Sequence, residues 1–180
     1  MRAFWGALCL VVIGAGAPNA QQTTQDEAAL RALPQAFSGA FNKHDGHALA
    51  AIMAEDVHFV TVGLTWLHGR ADFEKYHTRL FAGRFKEITH TVLETHVQFV
   101  RPDVAVVRHS WAGQGDKNVD GSARPQRFGL MTMVADKRNG IWLAWLSKTR
   151  TGRPMRLKCA RQRRKTLSRQ SSCRDLSSRI

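Results

Sequence analysis

Apolar residues recur first at helical spacing and then, after about residue 56, in alternation. In "TTQDEAALRALPQAFSGAFNKHDG", Thr24 and Glu27 stand at capping-box spacing, and Leu30, Leu33, Phe37, Ala40 and Phe41 follow on one helical face. Pro34 lies inside this pattern and should kink or split the helix. Asp45 is placed to cap a second short helix with Ala48, Leu49, Ile52 and Met53 inward, and Asp56 to end it. "VHFVTV" then alternates as a strand, "GLTWLHGR" reads as a turn with a short extended piece, and "ADFEKYHTRLF" returns to helical spacing. Three long strand-like runs and a fourth at "IWLAWLSK" follow, separated by "RPD", "GQGDKNVDGSARP" and "KRNG". Helices first and hairpin-linked strands after predict an α+β fold, helices on one face of a curved antiparallel sheet.

Composition divides the chain into three parts, 1–20, 21–149 and 150–180. The start combines Arg2, the apolar run "AFWGALCLVVIGAGA" and small residues before "QQTTQDE". That run is too short to cross a bilayer and has the make-up of a secretory signal, so a secreted or periplasmic location is expected. Of the formal charge of +13, the segment from Lys148 onward carries 12 − 1 = +11, leaving 13 − 11 = +2 for the rest. The basic tail has no apolar periodicity and cannot offset its own ordering entropy, so it is expected to be disordered. Without interleaved aromatics it suits weak contact with an anionic surface better than specific nucleic-acid binding. Cys9 falls in the signal segment and Cys159 and Cys173 in the tail, so the body contains no thiol for catalysis or zinc.

The stretches "AFNKHDGHALAAIMAEDVHFV", "TWLHGRADFEKYHTRLFAGRF", "VRPDVAVVRHSW" and "GLMTMVADKRNGIWLAWLS" resemble the SnoaL-like proteins, in particular their SgcJ/EcaC branch, within the nuclear-transport-factor-2-like superfamily. The resemblance runs over roughly residues 26–149. It implies a conical sheet wrapped around helices, a pocket at the open end of the cone, and a homodimer through the outer face of the sheet. It is much less specific about chemistry, because the fold hosts isomerases, hydrolases, dehydratases and binding modules. The family's usual end after the last strand is replaced here by "WLSKTRTGRP".

Phe73, Tyr76, His77, Leu80 and Phe81 share one helical face, which points His77 inward among apolar groups. A desolvated imidazole is held neutral and suits a general base or a hydrogen bond to a ligand. Alternation puts Ala105, Val107, His109 and Trp111 on one strand face. That face is pocket wall if concave and dimer interface if convex, and the sequence leaves both open. By the resemblance, Trp66 belongs near the pocket mouth. Compared with the ketosteroid isomerases of the same fold, Phe37 stands at the tyrosine position, Thr61 at the base and Thr132 near the second acid, so that chemistry is not expected. "DKNVDG" copies half an EF-hand loop, but its twelfth position is Arg127 where a glutamate is needed, so it reads as a hairpin turn. No nucleotide, zinc-protease or nucleophile-elbow motif appears, and no cofactor or metal is expected. The expected function is binding of a small apolar molecule in the cone, by His77 with Tyr76, Trp66, His109 and Trp111. The alternatives are a small acid/base enzyme using His77 and an interaction protein acting through its tail.

Overall fold

A computed structural model describes residues 20–152, with side chains from residue 23. The segments read as a signal (1–19) and as most of the basic tail (153–180), with the three cysteines, lie outside the described residues. The elements are α1 (Ala20–Asn42), α2 (Gly46–Ala51), β1 (Met53–Val60), β2 (Trp66–His68), α3 (Gly69–Ala82), β3 (Thr89–Arg101), β4 (Val104–Gln114), β5 (Arg127–Arg138) and β6 (Ile141–Gly152). One six-stranded sheet has the order β2-β1-β6-β5-β4-β3. β1 runs parallel to β6 and every other neighbouring pair is antiparallel. α1 packs chiefly on β3, and α3 on β1 and α2. Together they cover the inner face of the curved sheet, as the fold class predicted.

Local signals explain several of these boundaries. The Asp45 carboxylate accepts from Ala48 N–H at 2.9 Å and caps α2. Asn139 and Gly140 both have positive φ (51° and 82°), the backbone that a tight primed hairpin between β5 and β6 requires. β6 runs through Gly152, three residues past the boundary expected for the domain.

Three expectations are corrected. Thr24 is not an N-cap, because α1 begins four residues earlier at Ala20; nothing between them breaks a helix, and Glu27 pairs one turn on with Arg31 at 2.7 Å. Pro34 does not split α1, which continues across it to Asn42. The burial of Pro34, Leu30, Leu33 and Phe37 against the sheet outweighs the local cost of the missing N–H. α2 ends at Ala51, so Met53 and Asp56 belong to β1, whose pairing with β6 decides the boundary.

The core lies between the helices and the inner sheet face, built from Leu30, Phe37, Phe41, Leu49, Phe59, Phe73, Val107, Met131, Met133 and Trp142 among others. Inner-face alternation is clean on β4 as far as His109, with Ala105, Val107 and His109 fully buried; beyond it Ser110, Trp111 and Ala112 are all nearly so. The N-terminal half of α1 is pinned to the far strands through Asp26, which accepts from Lys137 Nζ (2.6 Å) and Trp142 Nε1 (3.0 Å). Those bonds hold its carboxyl below the usual range, the Lys137 hydrogen bond most.

Candidate functional site

A cavity of about 70 Å³ lies inside the cone. Its apolar wall comes from Phe37 and Phe41 of α1, Phe59 of β1, Leu80 of α3, Phe85, Ile88 and Met131. The polar groups among its lining residues are Thr61, Tyr76, His77, His90, Arg127 and Thr149; no carboxylate is among them.

His77 is 5 % exposed and sits in a ring of aromatics, with centroids at 4.1 Å to Phe73, 5.2 Å to Tyr76, 5.7 Å to Phe59 and 6.3 Å to Phe41. Its Nδ1 lies 2.9 Å from the carbonyl of Phe73, one helical turn back. A carbonyl only accepts, so Nδ1 carries the proton and the neutral ring keeps its lone pair on Nε2. Burial lowers the His77 pKa to about 4, against the opposing pull of the Phe73 hydrogen bond. The imidazole is therefore neutral at ordinary pH.

A second buried imidazole, His90, enters from the start of β3. The Ser38 hydroxyl donates to the His90 carbonyl at 2.6 Å, so the 3.2 Å contact between Ser38 Oγ and His90 Nδ1 runs from Nδ1–H to the hydroxyl. Asn42 exchanges two further bonds with the backbone of His90, at 2.6 and 2.9 Å, which ties β3 to α1. The ring stacks on Trp111 at 5.4 Å and 27°. Burial, and secondarily His109, push the His90 pKa down to about 3.

Trp111 forms a wall of the cavity, and its indole donates to Thr149 Oγ1 at 3.2 Å, reaching across β5 to β6. Gly129 makes this crossing feasible, because a Cβ there would collide with the indole. The open alternative for β4 is thus resolved: the side chains of His109 and Trp111 are both buried on the inner side. His109 is fully buried behind the cavity lining, near His90 (6.4 Å), and neither ring nitrogen has a hydrogen-bond partner among the described residues. Burial holds its pKa at about 4.

The sequence-derived candidates therefore separate. His77 and Tyr76 line the cavity, Trp111 walls it, and His109 stands behind it. Trp66 does not meet them: it is 59 % exposed on the short outer strand and packs on His68 (4.5 Å) and His58 (5.8 Å). Its alternation with Leu67, the inward residue of β2, turns it outward. Thr132 likewise lies on the outer face, between the inward Met131 and Met133, whereas Phe37 and Thr61 do line the cavity. His90 and Arg127 are the residues that sequence reasoning missed. β3 alternates weakly, with polar residues on both faces, so periodicity did not single out His90. Asp116 and Arg127 close the hairpin across the calcium-loop mimic, with Nη2···Oδ2 at 2.7 Å. The residue that disqualifies a metal loop is thus the ion-pair partner of its first acid.

No curated protein matches the chain in sequence. Solved structures resemble it. A Caulobacter vibrioides protein with a cystatin-like fold is 22 % identical over 72 % of this chain and 92 % of its own, with a TM-score of 0.67. A hexachlorocyclohexane dehydrochlorinase from Novosphingobium barchaimii is 17 % identical over 73 % and 89 %, with a TM-score of 0.66. A putative scytalone dehydratase from Novosphingobium aromaticivorans is 19 % identical over 73 % and 87 %, with a TM-score of 0.63. Identities this low establish the fold alone. The sequence profile of the SnoaL-like domain matches residues 35–160, which takes in the last third of α1 and every later element, and the chain belongs to the SnoaL-like domain family.

Proposed function

We propose that this domain binds one small, largely apolar molecule inside its cone, with Nε2 of His77 accepting a hydrogen bond from a hydroxyl or N–H of the ligand. The observation that carries this reading is the commitment of Nδ1 to the Phe73 carbonyl. It leaves an acceptor on a neutral ring among apolar cavity walls. Calorimetry with phenol and toluene, molecules of nearly the same shape, tests it. Phenol should bind the parent several-fold more tightly than toluene, from a net hydrogen bond of about 1 kcal/mol. His77→Leu, checked for folding by its melting curve, should bind both alike. Equal affinities in the parent would refute the role of His77.

Two fold neighbours are named for eliminations, a dehydratase and a dehydrochlorinase, and this gives the second reading. An unprotonated Nε2 in a dry cavity can accept a proton from a substrate carbon or hydroxyl. No carboxylate lines the cavity to stabilise the resulting imidazolium. The rate would rise through about pH 4 and level off above it, following His77.

The outer sheet face supports a homodimer as part of the same proposal. Leu93, Leu130 and Leu146 are exposed along an open trough between Glu94 and Lys148. Export from the cytoplasm and contact of the basic tail with an anionic surface rest on composition and complete the proposal.

A further inference from the structure

One end of the cavity is lined by a cation with further cations behind it. Arg127 lines it, with side-chain exposure of 12 %. Its guanidinium carbon lies 6.0 Å from the ring centres of both Trp111 and Phe85, two walls of the same cavity. Nε and Nη2 are occupied by the Asp116 carboxylate, at 3.3 and 2.7 Å. Asp116 is itself fully buried and also holds Arg124 at 3.3 Å. Two guanidiniums thus share one carboxylate, for a net 2 − 1 = +1. Arg84 adds a further positive charge, its guanidinium 6.0 Å from the Phe85 ring. Burial foremost, then Arg124 and Arg84, push the Arg127 pKa below its ordinary value, while Asp116 opposes them. A buried cation with incomplete compensation gains from a further anion, and a guanidinium keeps spare donors for it.

The arrangement is local to this end. Lys117 of the same hairpin is already paired with Glu87 at 3.5 Å, and its N–H donates to the Arg84 carbonyl at 3.2 Å, which fastens the loop to the end of α3. The remaining lining is aromatic or aliphatic apart from the neutral imidazoles and hydroxyls. A largely apolar cavity whose polar lining groups are neutral except for one under-compensated guanidinium selects for a molecule with an apolar body and one negative end.

We propose that the ligand is a small acid, and that Arg127, held by Asp116 and seated over Trp111 and Phe85, is the residue that recognises its carboxylate. This rests on the cavity being a ligand site, as argued above. A charge-assisted hydrogen bond in a desolvated site exceeds its neutral counterpart, so the charge of the ligand should decide affinity.

The test is calorimetry on the full chain with benzoate and benzamide, which share size and shape but differ in charge. The parent should bind benzoate about ten-fold or more tightly than benzamide, with a difference that persists at moderate salt because a buried pair is little screened. Arg127→Gln should erase that preference; Arg124 remains to pair with Asp116. Arg127→Lys, which keeps the charge, should retain part of it, and Arg108→Gln, a cation outside the cavity, all of it. If benzamide binds the parent as well as benzoate does, the anion proposal fails while the cavity reading stands. If neither binds, both fail. A preference for benzoate that survives in Arg127→Gln would overturn the assignment to Arg127.

Discussion

The two faces of this sheet are made from the same strands and differ in nearly every physical respect. On the inner face, His109, Met131 and Thr149 lie side by side in register across β4, β5 and β6, all buried. On the outer face, Leu130, Leu146, Lys148 and Arg150 come from the alternate positions of β5 and β6 and border an open trough. The inner face spends apolar burial on enclosing polar groups, three imidazoles among them, which the fold holds neutral. The outer face keeps leucines among charges and buries none of them fully. The helices make this difference, since α1 and α3 cover one side only. A residue's chemistry here follows from which side of the pleat it occupies, and a shift of one position would exchange the two sets.

The comparison can be broken most severely from within. Phe73 is fully buried and packs on Phe59 at 4.9 Å and on His77 at 4.1 Å. Phe73→Ala should cost about 3–5 kcal/mol in chemical denaturation. Acid should act next. His77 and His109 have folded pKa values of about 4 and His90 of about 3, all below the 6.5 of the free side chain. The unfolded chain therefore takes up protons first. Stability is complete above about pH 6.5 and falls as pH drops toward 4, by on the order of a few kcal/mol at about pH 5. Melting temperature against pH should show the slope, and His109→Leu should make it shallower without moving the cavity; a flat profile would mean that the imidazoles are not held in the dry core.

Smaller effects sharpen the contrast. Gly129→Ala pushes the Trp111 indole off its path to Thr149 and should cost about 1–3 kcal/mol, with a shift in tryptophan fluorescence. On the outer face, Leu130→Asp should change monomer stability by about 0.5 kcal/mol or less. In sedimentation the same variant should turn the proposed dimer into a monomer, and an unchanged mass would remove that face as the interface.

Periodicity carried much of this architecture. The i, i+3, i+4 spacing on α3 placed His77 among its aromatics correctly, because a helix of fourteen residues with one apolar face has a single way to bury it. Asp45 and Asn139-Gly140 were legible for the same reason: their chemistry acts on backbone within a few residues. Trp66 was misplaced because a three-residue strand offers too little alternation to orient it.

The amino-acid order alone thus settled the class of fold, the cap of α2, the β5–β6 turn and the inward histidine of α3, all products of short-range geometry. Tertiary structure decided the rest. The inward turn of His109 and Trp111 follows from sheet curvature, and the clamp of Ser38 and Asn42 on His90 spans 52 and 48 residues. Arg127 became a cavity wall only when the hairpin folded back over Phe85. Contacts between distant segments depend on register and on which face the helices cover, and no local pattern of residues encodes either.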